Sequence, residues 1–383
     1  MSLENFLQKK PLYYDVIDYT RMPRIYAKLQ EQLTLPKIIH IIGTNGKGTT
    51  GRFLAGALYS LGFKTGHYTS PHILAFNERI WMDGENVCNS VLNDAHKRLL
   101  NLLSHEDADA LSYFEYTTLL AMCVYQNCDY VVLEAGLGGE HDATAVFDTL
   151  ITLVTPIDLD HESFLGTTLE EITKTKLNAV KHIAIIGAQK HKQVIETAKE
   201  LLAKKALPLL PYGELLSQED QTKSVEIADA LTLAPYLIEN LQLAFAALHF
   251  LGLPYEAKDF LHAKLFGRLS QIGENILLDV GHNPLAAASI VKSLQGKKYT
   301  LVYNSYKDKN YKEILTILQP VVESVAIIRV DEERIVSQAL LEATIASLGL
   351  PYHTFKALDN EKNYLIFGSF SVAETFLRNY YNG

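Results

Sequence analysis

Hydrophobic positions in this chain fall into short β-branched runs, separated by longer segments whose apolar residues recur every three or four places. The runs Lys37–Ile42, Lys64–Tyr68, Tyr130–Glu134, Ile151–Thr155 and Ile183–Gly187 predict strands. Phe114–Gln126 and Thr168–Val180 predict the clearest helices between them. A proline- and acid-containing stretch from Pro208 to about Leu233 interrupts the series, and Pro235–Leu251 then predicts a strongly apolar helix. A second series follows, with strands expected at Ile276–Val280, Tyr299–Tyr303, Ser324–Ile328, Pro351–Phe355 and Tyr364–Phe367. Such alternation implies mostly parallel, doubly wound sheets with crossover helices. The boundary is placed near Leu265–Ser270, where Phe266-Gly-Arg-Leu-Ser breaks the helical pattern. The expected architecture is α/β with two domains, a larger one over 1–265 and a smaller, Rossmann-like α/β domain over 268–383.

The most informative segment is Lys37-Ile-Ile-His-Ile-Ile-Gly-Thr-Asn-Gly-Lys-Gly-Thr-Thr50, which reads as a buried strand running into a glycine-rich turn. A helix over Gly51–Ser60 follows directly. Glycines at 43, 46 and 48 let backbone N–H groups turn inward and approach phosphate oxygens, and the helix N-terminus adds its positive dipole end. Lys47 can reach the outer phosphates, and Thr49 or Thr50 can offer a hydroxyl to Mg²⁺. The ligand expected is a nucleoside triphosphate, ATP first. Only two residues separate Gly43 from Gly46-Lys47, fewer than the usual phosphate-loop spacing. The loop alone leaves the reaction open.

Four further polar clusters follow apolar runs, where functional residues gather in open α/β sheets. Tyr68-Thr-Ser-Pro-His-Ile73 could place Ser70 on a metal or form an ordinary serine-capped turn. Glu134 ends a buried strand ahead of Ala-Gly-Leu-Gly-Gly139, and a carboxylate there is costly unless paired or bound to a cation. In Thr155-Pro-Ile-Asp-Leu-Asp-His161 the imidazole of His161 competes with Asp158 and Asp160 for any metal role. In the C-terminal half, Arg268 offers a planar fork for phosphate, and Asp279, His282 and Asn283 end a strand and begin a turn. Asn283 before Pro284 also fits a helix cap.

Composition narrows the partners. A net charge of -9 with no basic stripe argues against a nucleic-acid backbone as partner. No apolar run approaches a membrane span, and the N-terminus lacks a signal-peptide layout. Three cysteines without a CxxC pair suggest neither a disulfide framework nor a zinc site, so a cytoplasmic setting is expected.

The clusters in order resemble the folylpolyglutamate synthase/dihydrofolate synthase family of the Mur ligase superfamily. The resemblance is carried by GTNGKGT at 43–49, SPH at 70–72, FNERI at 76–80, LEAGLGG at 133–139 and DAT at 142–144. It continues through LDH at 159–161, FGRL at 266–269, D-x-GHNP at 279–284 and FGS at 367–369. It implies that Gly43, Thr44, Asn45, Gly46, Lys47, Gly48 and Thr49 hold the phosphates of ATP. It further implies two Mg²⁺ ions, one held by Ser70, Glu134 and His161 and the other by a carbamylated Lys176. Asn240 matches an adenine contact, Arg268, Asp279 and His282 match residues that close over ATP, and Asp142 matches a pterin-associated position. Three places depart from the family pattern: Lys176 is flanked by Thr175 and Leu-Asn-Ala179, Asp279-Val-Gly-His-Asn-Pro284 shifts the small residues of the family's DGAHNP but keeps the polar ones, and Glu140-His141 follows the double glycine.

The implied reaction joins L-glutamate to dihydropteroate or a folate through an acyl phosphate, and the base for the glutamate amine is open among His161, Glu134 and water. A bifunctional enzyme acting as a monomer is expected. A synthase restricted to one acceptor, a phosphotransferase using the same loop and a binding protein without catalysis are the alternatives.

Overall fold

The computed structural model describes residues 2–11, 18–294 and 296–381. Among the described residues fourteen strands occur in chain order: β1 Lys37–Ile42, β2 Thr65–Tyr68, β3 Ile80–Met82, β4 Glu85–Asn86, β5 Tyr130–Glu134, β6 Ile151–Val154 and β7 Ala184–Ile186. The series continues with β8 Leu209–Pro211, β9 Ser270–Gly273, β10 Ile276–Leu278, β11 Tyr299–Tyr303, β12 Val322–Ile327, β13 Tyr352–Thr354 and β14 Tyr364–Phe367. They form an eight-stranded sheet of order β4-β3-β2-β5-β1-β6-β7-β8 and a six-stranded sheet of order β13-β12-β11-β14-β10-β9.

Most pairings are parallel, so both faces carry helices and the central strands read as continuous apolar runs. β1 shows this most clearly: after Lys37 every residue is buried, and it lies between β5 and β6 with Ile41 opposite Glu134 and Ile42 opposite Val154. Antiparallel pairing is confined to the edges, at β2–β3, β3–β4 and β9–β10. The short strands β3, β4, β8 and β9 lie outside the strands expected from the pattern. The stretch after Pro208 carries β8 and a helix, Gln218–Leu231, rather than only a break. Several expected elements are shorter in the structure: Thr168–Val180 gives a helix over Leu169–Leu177, and Pro235–Leu251 a 3-10 turn, Pro235–Leu237, followed by a helix, Ile238–Phe250.

The chain groups into two compact units, one of Met1–Leu231 with Glu239–Lys264 and one of Thr232–Ile238 with Leu265–Gly383. In the first, aliphatic side chains of β1 and β5 pack with the helix Tyr113–Val124 on one face of the sheet. A second cluster joins Ile42 and Val154 to Ile172, Leu177, Val194 and Leu202. In the other unit, Leu301 and Tyr303 of β11 and Leu365 and Phe367 of β14 pack with Ile314, Leu318, Leu341 and Ile345. Among the described residues, no helix is long and apolar enough to cross a membrane.

Candidate active site

At the carboxyl end of β1 the backbone turns through Gly43 at φ +143° and Gly46 at φ +86° into the helix Lys47–Ser60. Only glycine fits at either position. A Cβ at Gly43 would meet Thr155 Oγ1 at 2.0 Å, and one at Gly46 would meet Asn240 Oδ1 at 2.2 Å. The loop is fastened to the chain after β6: Thr44 and Asn45 donate their N–H groups to the Pro156 carbonyl at 2.8 and 3.2 Å, and Thr44 Oγ1 donates to the Asp158 carbonyl at 3.1 Å. Asn240, buried in the helix Ile238–Phe250, accepts from Thr50 Oγ1 at 3.3 Å, which places its carboxamide against the phosphate loop.

Thr49 lies in the first turn of the loop helix, 2% exposed, and its hydroxyl has no hydrogen-bond partner. Burying a hydroxyl without a partner costs about 1–3 kcal/mol, so this oxygen is suited to an incoming ligand atom. Lys47 Nζ folds back on the carbonyls of Gly43 and Thr44, each at 3.3 Å. The Gly43 carbonyl also accepts from Lys176 Nζ at 2.9 Å. Two lysines from separate helices therefore meet on one carbonyl of the loop.

Lys176 is buried because the glycine-rich loop after β5 lies on its helix. A Cβ at Gly139 would meet the Lys176 carbonyl oxygen at 2.3 Å, and Glu140 N–H donates to the Thr175 carbonyl at 2.9 Å. Burial, reinforced by the charge of Lys47, pushes the Lys176 amine down to about 7 against the pull of Asp160 and Asp142. Near neutral pH much of it is an uncharged nucleophile, the form that adds CO₂.

Glu134, at the end of β5, is buried. Its Oε2 accepts from the Thr69 hydroxyl through a short hydrogen bond and from the Ser70 N–H at 3.3 Å. β2 and β5 run parallel, with Tyr68 opposite Leu133, so the segment after β2 and the carboxylate after β5 emerge side by side. His161 adopts a left-handed conformation, φ +52°, before the short helix Glu162–Leu165, and its N–H donates to Asp160 Oδ1 at 2.9 Å. Its Nε2 stands 4.0 Å from Asp160 Oδ2. Asp158 is engaged by His191 at 3.1 Å and Lys190 at 3.4 Å. Among the described residues no three His, Cys, Asp or Glu side chains converge on one point. A divalent ion here would need hydroxyl, carbamate or phosphate oxygens beside Glu134, a donor set suited to Mg²⁺.

Asp142 is buried below the double glycine. Its Oδ2 accepts from Leu137 N–H at 2.8 Å, and its Oδ1 from Thr144 N–H at 2.9 Å and Thr144 Oγ1 at 2.5 Å. Burial raises its carboxyl above the usual range, opposed by these donors.

In the second unit, Asp279 follows β10 with both oxygens in use: Oδ2 accepts from Tyr236 Oη at 2.7 Å and Leu269 N–H at 2.8 Å, and Oδ1 from Gly281 N–H at 2.7 Å. Arg268 donates to its neighbour's carbonyl, Gly267, at 3.0 Å and lies over the Phe370 ring at 5.6 Å. His282 Nδ1 donates to the Val280 carbonyl at 3.2 Å, and Asn283 caps the helix Pro284–Ser293. Sequence reasoning passed over Thr69, Thr155 and Tyr236. Thr69 was within reach, since it sits beside the chosen Ser70 and a hydroxyl is the cheapest partner for a buried carboxylate.

A central parallel strand opening into such a loop is the frame of a nucleotide-binding P-loop protein. No family model matches the chain. Among curated proteins, the dihydrofolate synthase/folylpolyglutamate synthase of Escherichia coli (strain K12) is 31% identical over 332 residues, covering 79% of this chain and 75% of that protein. The crystal structure of Helicobacter pylori folylpolyglutamate synthetase superposes with a TM-score of 0.81 at 37% identity, covering 98% of this chain and 97% of the other. The structure of E. coli FolC in complex with DHPP and ADP gives a TM-score of 0.79 at 26% identity, covering 97% and 95%. The chain belongs to the dihydrofolate synthase/folylpolyglutamate synthase family.

Proposed function

We propose that this chain is an ATP-dependent ligase that joins the amine of L-glutamate to the carboxylate of dihydropteroate and of tetrahydrofolate, releasing ADP and phosphate. The observation that carries the reading is the loop at the end of β1, where glycine backbone, two lysines and the unpartnered Thr49 hydroxyl stand together. Family membership supports amide ligation over permanent transfer of phosphate to an acceptor.

A carboxylate is a poor electrophile, so the acid first attacks the terminal phosphorus of ATP and ADP leaves. The α-amine of glutamate then adds to the acyl carbon, and phosphate departs with the former carboxylate oxygen. The amine must be neutral to attack; its proton goes to solvent or a nearby base. Both partners in the first step are anions, and the amides of Gly43 and Gly46–Thr49 together with Lys47 reduce their repulsion, those of Thr44 and Asn45 being bonded to the Pro156 carbonyl. Bound divalent metal adds further positive charge there, and Ser70, Glu134, His161 and a carbamylated Lys176 are the residues proposed to hold it. The contact between Ser70 N–H and Glu134 agrees with that assignment. Asp142 is proposed to hold the pterin end of the acid, and Asn240, Arg268, Asp279 and His282 to contact the nucleotide. With its oxygens already committed, Asp279 would act by shaping the turn that carries its neighbours.

The test is phosphate release from purified protein. Free phosphate should appear only when ATP, glutamate and either dihydropteroate or tetrahydrofolate are present together. Phosphate retained on the acid without need of glutamate would mean a phosphotransferase, and inactivity with both acids would sink the substrate assignment.

A further inference from the structure

β1 is aliphatic except at one interior position, where His40 is fully buried. Its Nε2 lies 2.8 Å from Thr144 Oγ1, and that oxygen lies 2.5 Å from Asp142 Oδ1. Thr144 is also fully buried, so water does not share these bonds. An ionised carboxylate only accepts, so the single hydroxyl proton of Thr144 goes to Asp142. His40 must then donate from Nε2, which leaves Nδ1 unprotonated, and Nδ1 has no partner. Burial, with the nearby charge of Lys181, holds the imidazole neutral, down to about 3.

The direction of these bonds has a consequence at Asp142. Oδ1 is filled by the N–H and hydroxyl of Thr144, whereas Oδ2 receives only Leu137 N–H. One acceptor position remains on Oδ2, and the residue is 8% exposed. Without a donor behind it the Thr144 hydroxyl is free to swing its proton away from Oδ1, leaving the carboxylate on two backbone N–H groups alone and less firmly oriented.

We propose that His40 is a positioning residue for the acceptor acid, fixing through Thr144 the orientation in which Asp142 presents Oδ2 to an N–H group of that acid. This rests on the reading of Asp142 as an acceptor contact. The bland account, in which His40 fills the core and Asp142 merely caps the turn Ala143–Val146, predicts no selective effect on the acid.

Steady-state kinetics of His40→Leu, His40→Gln, Thr144→Val and Asp142→Ala separate these accounts, with ADP binding by calorimetry reporting on β1 and its loop. His40→Leu and Thr144→Val should each raise KM for dihydropteroate about tenfold, the effect of one buried hydrogen bond, while kcat and KM for ATP stay within about twofold. His40→Gln, whose carboxamide N–H can replace Nε2–H, should recover most of the loss. Unchanged KM for dihydropteroate in both His40→Leu and Thr144→Val would overturn the proposal, as would an equal rise in KM for ATP. If Asp142→Ala also leaves that KM unchanged, the Asp142 reading itself fails. If it alone raises KM, only the role of His40 is refuted.

Discussion

Replacing Lys176 by Met keeps the length of the side chain and removes its charge. In the native protein burial pushes the amine down to about 7, from the ordinary value of 10.5 that the unfolded chain keeps. Between these values the unfolded state binds more protons, so wild-type stability must rise with pH, by up to about 1.4 kcal/mol per unit. The penalty is fully present below about pH 7 and gone above about 10.5. Integrated from about pH 7 to about pH 9, the gain is about 2 kcal/mol. At neutral pH, Lys176→Met should be the more stable by about 3 kcal/mol, after allowing about 1 kcal/mol for the lost bond to the Gly43 carbonyl. Urea titrations of both proteins in metal-free, CO₂-free buffer at several pH values measure the difference directly. Parallel curves would refute the argument, because they would mean that the amine titrates alike in the folded and unfolded chains. The same variant should be devoid of ligase activity.

Two substitutions test the backbone and the second unit. Gly46→Ala places a methyl on Asn240 and demands a left-handed alanine, so it should cost about 1–3 kcal/mol in thermal unfolding and abolish ATP binding by calorimetry. Retained affinity would remove the need for glycine there. Asp279→Asn replaces one acceptor oxygen by an N–H₂ group in a site of three donors, and should destabilise the protein by about 1–3 kcal/mol in denaturant titration. Wild-type stability would show that the Tyr236, Leu269 and Gly281 contacts carry little.

Much of this arrangement was legible because the central strands are buried on both faces and so leave continuous apolar runs. Lys37–Ile42 is read directly from sequence, and so are the polar residues that end such runs, Glu134 and Asp279. The edges were not legible. β3 and β4 pair antiparallel over two or three residues, too short to show a period. The helix Gln218–Leu231 was hidden because only Asp220, Ser224, Ile227 and Ala228 are buried in it, two of them polar. In the candidate site, residue types pointed to Ser70 and Lys176, but the Thr69–Glu134 bond and the His40–Thr144 contact join positions 65 and 104 residues apart. Such pairings depend on strand order, which local pattern does not encode.

The fit of Gly139 on the main chain of Lys176 bears on attempts to alter what the protein accepts. Backbone touches backbone there, so side-chain repacking cannot widen the gap between the double-glycine loop and the helix that carries the buried amine. Redesign for a bulkier acid should leave position 139 untouched and work outward from Glu140 and His141, both solvent-facing.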